Sequence, residues 1–300
     1  MKGSEMKRIS IIGSGVVGQI VGKGFLESNK VIFYDINKST VEKIKSEGFD
    51  ATDNLEYALN NTDISFIAVP TPSTEEGIDL SFIEKVTLNI SKILAKKSTS
   101  HIVVFKSTMV PGTTESVIIP NLEKQSGKKA NVDFGVIFMP EFLTEIAHTW
   151  TDDPTFKRDF KTEDKIVVGE SGNKKFGDEV ESLFKHLGSP IIRTDYKTAE
   201  MIKYANNLRL AAAISYSNEM FQICEKLGID GQKVAEMVAL DKRVGKYGSV
   251  CGKSFGGRCF PKDLRAMISF VEKNLDHDPV FLKAIEHVNE NMKGKYGVRE

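Results

Sequence analysis

The chain has 300 residues and carries 41 Lys plus Arg against 41 Asp plus Glu, so no net field draws it to nucleic acid or to an anionic membrane surface. Its three cysteines, at 224, 251 and 259, have neither the number nor the spacing of a disulfide framework or a zinc site, so no metal is expected and a reducing, cytoplasmic setting fits. No run of about 18 apolar residues offers a membrane span, the opening "MKGSEMKRISIIGSG" lacks a secretory signature, and the length makes two domains the expectation.

Seven short apolar runs are predicted strands: "RISII" from Arg8, "VIFYD" from Val31, "ISFIAV" from Ile64, "HIVVF" from His101, "DFGVIF" from Asp133, "KIVVG" from Lys165 and "PIIRT" from Pro190. Most read as buried on both faces. Helical patterns over 16–28, 38–47 and 80–96 lie between them, and that alternation predicts a doubly wound parallel sheet with helices on both sides, an α/β fold of the Rossmann-like kind, over residues 1–195. From Tyr196 helix formers run for some thirty residues to a C-cap at Gly228. A second helix is predicted over 231–239, then a loop, then helical sequence over 264–293, making 196–300 an all-helical domain.

"IIGSGVVG" places Gly13, Gly15 and Gly18 between the first strand and a helix opening at Val16 and Val17. The first glycine permits a tight turn, the second lets a pyrophosphate approach the backbone, and the third lets helix pack on strand. Asp35, ending the next strand, stands where an acid would bond the adenosine ribose, which favours NAD over NADP. A glycine turn that merely packs a βα unit is the alternative; strand, helix and acid together argue against it. FAD uses a similar fingerprint, but no further flavin signal is visible.

The stretch "SFGGRCFPKDL", Ser254 to Leu264, sets Cys259 after two glycines and before a proline, presenting it rather than burying it. A nicotinamide cofactor implies hydride transfer, and a thiolate beside it can add to a nascent aldehyde, so that a second hydride leaves a thioester for water to cleave. A small buried cysteine is the other reading, and it suits Cys224 within "MFQICEKL" better.

Seven blocks then occur in one order: "GSGVVG", "VPTPSTEEGIDLSF" (69–82), "KSTMVPGTT" (106–114), "MPEFLTE" (139–145), "AEMIKYANN" (199–207), "LDKRVG" (240–245) and "GGRCFPKD" (256–263). With them the chain resembles the UDP-glucose/GDP-mannose dehydrogenase family, NAD-dependent four-electron oxidoreductases that turn nucleotide sugars into uronic acids. The resemblance implies Cys259 as nucleophile, Lys203 and Asn207 facing the reacting oxygen, Thr108 and Asp263 holding a water, and Glu141 as base in thioester hydrolysis. Whether that water or Lys203 takes the first proton stays open. It further implies Thr71, Pro72, Ser107, Thr108 and Glu145 beside the cofactor, and Phe142, Leu143, Phe255, Gly256 and Gly257 along the nucleotide sugar. Arg243 would reach the substrate across a homodimer built on the helical domain.

By the same resemblance a second doubly wound domain would follow residue 300, and without it weakened nucleotide affinity is expected. Arg258, where relatives have a small residue, could act on the thiol or on the substrate, or point to solvent. "CFPKD" fits glucose-like or mannose-like sugars, UDP-glucose first among them. The competing functions are a two-electron β-hydroxyacid dehydrogenase, which has no need of Cys259, and a nucleotide-sugar or NAD-binding module without turnover.

Overall fold

The computed structural model describes residues 6–74, 77–144, 150–257 and 259–299. The chain forms two compact units: Met1–Thr71, Asp79–Leu143 and Arg158–Met201 make the first, and Pro72–Ile78, Thr144–Lys157 and Ile202–Glu300 the second.

The first unit is built on an eight-stranded sheet. Its strands are β1 (Arg8–Ile12), β2 (Lys30–Tyr34), β3 (Ala51–Thr52), β4 (Ile64–Ile67), β5 (Ile102–Phe105), β6 (Gly135–Phe138), β7 (Ile166–Gly169) and β8 (Ile191–Thr194). They lie in the order β8-β7-β6-β5-β4-β1-β2-β3. Neighbours pair in parallel, except that β6 meets β7 through an antiparallel Phe138–Gly169 bridge. Strands β4 to β7 are buried at every position, as continuous apolar runs covered on both faces should be. The predicted seven strands are all present; β3, two residues long, is the addition.

Helices α1 (Val16–Phe25), α2 (Lys38–Ser46), α3 (Leu55–Asn60) and α4 (Ser81–Lys96) follow successive strands. A π-helical turn, Thr114–Ile118, leads into α5 (Ile119–Ser126), and α6 (Lys174–Ser182) joins β7 to β8. One sheet face packs Ile9, Ile11, Phe33, Ile64, Phe66 and Val104 against Val21 and Phe25 of α1 and Phe176 and Val180 of α6. At its centre Phe25 meets Phe66, Phe160 and Phe184 at centroid separations of 4.9, 4.9 and 5.3 Å, edge-on for the last two.

The sheet's other face carries a buried polar chain at the strand N-termini. Ser10 Oγ and Ser65 Oγ lie 2.6 Å apart, and His101 Nε2 is 2.8 Å from Ser65 Oγ. Burial first, and the nearby Lys97 ammonium second, hold the His101 imidazole down from 6.5 to about 3, against weaker upward pulls from the Thr62 backbone and Asp63. Folded His101 therefore stays neutral where the unfolded imidazole takes up a proton, and stability is complete above pH 6.5 and lost progressively as pH falls toward about 3. We expect a slope approaching about 1.4 kcal/mol per pH unit in that window, read by urea unfolding at stepped pH. His101→Gln should flatten it.

The second unit is helical apart from two short ladders. Helix α7 (Tyr196–Leu227) passes from the first unit into the second at Ile202 and ends at Gly228, whose φ is +70°, as the predicted cap requires. Then come α8 (Gly231–Val238), α9 (Phe260–Asn274) and α10 (Val280–Tyr296). The single stretch expected over 264–293 is thus two helices, starting earlier, at Phe260. Leu275 turns extended, with ψ of 140°, and Pro279 caps α10; a proline disfavours helical geometry in the residue before it, so the chain breaks there. The ladders pair Ser73–Thr74 with Gly77–Ile78, antiparallel, and Ser254–Phe255 with Val298–Arg299, parallel. Among the described residues no helix is long and apolar enough to cross a membrane.

Candidate active site

In the first unit the site is the switch point of the sheet, where the chain leaves β1 toward β2 on one side and returns at β4 on the other. Gly13 turns at φ +93°, and a Cβ there would stand 2.8 Å from the Ala68 carbonyl oxygen. At Gly18 a Cβ would stand 2.0 Å from the Gly13 oxygen, so that residue holds helix to turn. Gly15, exposed at the N-cap of α1, has nothing within 4 Å of its Cβ position and makes no side-chain cap. The first N–H groups of α1, at Val16, Val17 and Gly18, have no carbonyl a turn earlier to receive them and so face this open ground. That fits a pyrophosphate.

Asp35 is held at the end of β2 by two backbone donors, Ser14 N–H to Oδ2 at 2.9 Å and Asn37 N–H to Oδ1 at 2.8 Å. Its carboxylate is therefore fixed beside the glycine turn, where a ribose diol would meet it and a 2′-phosphate would be repelled. Asp35→Asn removes the charge and keeps one acceptor. We expect the NADP-to-NAD ratio of kcat/KM to rise about tenfold to 10²-fold, from steady-state rates with each cofactor, with little change in Tm.

The loops after β4 and β5 lie in the same unit. Thr71 Oγ1 donates to the Thr108 carbonyl at 2.8 Å, and Ser107 Oγ to the Val69 carbonyl at 2.7 Å. Buried Glu200, on the first turns of α7, accepts from the N–H groups of Gly112 and Thr114 and from the Thr114 hydroxyl. Burial pushes its carboxyl above the usual range, against the pull of those donors. Glu200 lies in the "AEMIKYANN" block, but nothing in the sequence gives it this role.

After β6, Glu141 is buried and its Oε2 accepts the Leu143 N–H at 2.7 Å, while the Phe142 N–H donates to Glu163 Oε1 at 3.0 Å. The amide hydrogens of Phe142 and Leu143 are thus given to carboxylates of the chain. The Lys165 ammonium stands 4.1 Å from the Phe142 ring centroid. Glu145 lies outside the described residues, as does Arg258.

The second unit holds its own group of predicted residues. Cys259, half-buried, takes the N-cap position of α9, where the helix dipole favours negative charge. Its carbonyl accepts the Asp263 N–H at 2.8 Å. Asp263 is 1% exposed, and its two oxygens are engaged by Asn207 Nδ2 and by Lys262 Nζ, each at 2.6 Å. Removing either partner would leave a buried polar group unsatisfied. Lys203, also buried, lies one helical turn before Asn207 on α7, and the Asn207–Asp263 bond joins that stretch of α7 to the first turn of α9. In sequence Lys262 reads as a cation that could lower the thiol's pKa; here its ammonium is given to Asp263.

Pro72 opens the second unit, and Ser73 beside it donates to the Lys262 carbonyl at 2.9 Å. Phe255 is buried, edge-on to Phe260 at 5.9 Å, and Gly256 leaves no room for a side chain, since a Cβ would stand 2.4 Å from Val298 Cγ1. Gly257 is exposed at φ +74°, a left-handed turn that suits glycine. Arg243, with its side chain 90% exposed, pairs with Asp241 two residues before it. No group of three metal-ligating side chains occurs among the described residues.

Residues 45–188 match the UDP-glucose/GDP-mannose dehydrogenase family's NAD binding domain, and residues 197–291 its central domain. The chain is 36% identical to a GDP-mannose 6-dehydrogenase of Pseudomonas savastanoi pv. phaseolicola, over 94% of this chain and 68% of that protein. It is also 36% identical to a UDP-glucose 6-dehydrogenase of Haloferax volcanii, over 94% of this chain and 69% of that one. Its fold is similar to that of a UDP-glucose dehydrogenase from Pyrobaculum islandicum, with a TM-score of 0.87 and 32% identity over 98% of this chain and 70% of the other.

Proposed function

Because the chain belongs to the UDP-glucose/GDP-mannose dehydrogenase family, we propose that it oxidises the C6 alcohol of a nucleotide sugar, UDP-glucose foremost, to the carboxylate, with Cys259 as covalent anchor. The cofactor is NAD, which accepts the hydride of each of two oxidations. One alcohol, two NAD and one water give one carboxylate, two NADH and three protons.

The N-terminus of α1 and Asp35 hold the cofactor's pyrophosphate and adenosine ribose. In the first oxidation the alcohol proton leaves toward Lys203 or a water held at Asp263. The Cys259 sulfur then bonds to the aldehyde carbon, while charge gathers on the oxygen opposite the Lys203 ammonium and the Asn207 amide. Loss of the second hydride converts this thiohemiacetal to a thioester. Glu141 draws a proton from the water that cleaves it, and the C–S bond breaks to return the thiol.

The observation that carries this reading is the Asn207–Asp263 hydrogen bond, because it ties the α7 face bearing Lys203 to the first turn of the helix that begins at Cys259. The similarity to the Pyrobaculum fold supports UDP-glucose; the Pseudomonas relative supports GDP-mannose as the second reading. Exposed apolar side chains on α7, on α8 and just beyond it, among them Tyr216, Ile223, Leu227, Met237 and Leu240, support a homodimer through the helical unit, with Arg243 reaching the other copy's substrate.

The deciding experiment offers NAD with a panel of nucleotide sugars and counts NADH formed per sugar consumed. Two from UDP-glucose is the expected result. Two from GDP-mannose alone would change the base and hexose, one would mean a two-electron dehydrogenase, and none from any sugar a binding module.

A further inference from the structure

The loop that delivers Cys259 is held by three side-chain amides from three different helices. Gln232 on α8 accepts the Cys251 N–H through Oε1 and donates through Nε2 to the Ser249 carbonyl, both at 3.0 Å. Asn218 on α7 accepts the Gly252 N–H through Oδ1 at 2.9 Å and donates through Nδ2 to the Lys253 carbonyl at 2.8 Å. Asn289 on α10 accepts the Phe255 N–H at 2.8 Å and donates to the Phe255 carbonyl at 3.0 Å. Each amide supplies one acceptor and one donor to a chain segment, as a neighbouring β-strand would.

The alternation of a strand explains how these contacts fit together. The N–H of Ser254 turns toward the Gly297 carbonyl on one side at 3.1 Å, and both backbone groups of Phe255 turn to Asn289 on the other. Asn218, Asn289, Cys251 and Phe255 are all buried, so the clamped backbone groups of Cys251 and Phe255 have no water to fall back on. The loop would otherwise carry unpaired polar groups into the core. Four residues after Phe255 the chain reaches Cys259.

We propose that Gln232, Asn218 and Asn289 are positioning residues for the nucleophile: they convert the packing of α7, α8 and α10 into a fixed path for residues 249–255 and so set where the Cys259 sulfur stands. The inference rests on Cys259 being the nucleophile proposed above, and it extends that reading to side chains that touch neither sugar nor cofactor. Loosening a clamp displaces the sulfur while leaving Asp35, Lys203 and Asn207 unaltered, so capture of the aldehyde suffers more than the first hydride transfer.

The test compares Gln232→Ala, Asn218→Ala and Asn289→Ala with the unaltered chain in three measurements: Tm, the iodoacetamide alkylation rate of Cys259 read by peptide mass spectrometry, and NADH formed per sugar consumed. Gln232 is partly exposed, so its variant is the one expected to fold even if the buried asparagines prove intolerant. Acid formation should fall about tenfold for one clamp and about 10²-fold for two, the scale on which misplaced reacting groups lose rate. NADH per sugar should drop from two toward one as aldehyde is released, and the alkylation rate should change in the folded variants without substrate present.

Folded variants with an unchanged alkylation rate and two NADH per sugar would overturn the proposal. So would a rate that falls only in step with the folded fraction while the ratio stays at two. The alkylation readout needs no turnover, so a chain that oxidises no sugar would still show whether the clamps govern the sulfur.

Discussion

Cys259→Ser is expected to end acid formation, with a loss on the order of 10³-fold or more in the rate of carboxylate release. Serine is nearly isosteric, so α9, the Asn207–Asp263 bond and the clamped loop have no reason to move. What changes is nucleophilicity. A thiol supplies some thiolate near neutral pH and sits here at a helix N-terminus, whereas a hydroxyl stays protonated without a base aimed at it. The first oxidation does not require the sulfur, so the variant should give at most one NADH per sugar and an aldehyde that a carbonyl reagent traps. Acid made at the original rate would remove the covalent mechanism and leave a simple dehydrogenase with a hydrated aldehyde as its second substrate.

Lys203→Ala is expected to lower kcat by about 10²–10³-fold with a smaller effect on KM, the cost of removing one preorganised partner of a developing oxyanion. Lys203 is 3% exposed, so its charge is not diluted by solvent, and its place one turn from Asn207 on a long helix holds it still. Truncation also vacates buried volume, so Lys203→Met is the companion variant: it refills the space without the charge. Equal losses in both variants assign the effect to the ammonium. Full activity in the methionine variant would assign it to packing.

The nucleotide-binding turn was legible because its chemistry uses short-range backbone geometry. Gly13 makes the tight turn and Gly18 the close helix packing that their spacing implied, Gly15 leaves open space, and Asp35 stands within hydrogen-bonding reach of the turn. The sheet was legible too, since strands buried on both faces must be continuous apolar runs. The two-residue β3 carries too little pattern to register. The interruption of 264–293 shows how helix-forming composition can mask a break that one proline and its predecessor impose.

Less could be read of what supports the chemistry. Glu200, Gln232, Asn218 and Asn289 are ordinary polar residues on helices, and in one dimension they look like solvent-facing positions. Their partners are largely backbone groups whose burial depends on how helices pack. Phe160 likewise sits in a stretch of mixed charge, yet it fills the face of α1 at Gly24, where a Cβ would lie 2.2 Å from its ring.

Residue order alone was enough for the alternation of strand and helix, the glycine turn with its acid, and the singling out of Cys259 among three cysteines, because each is a property of neighbouring residues or of a side chain's own chemistry. Which buried carboxylate is paired with which amide, and which amides hold the loop before Cys259, was settled by folding. A hydrogen bond between distant segments exists only after packing has excluded water from both, and that exclusion belongs to the assembled helices rather than to any stretch of chain.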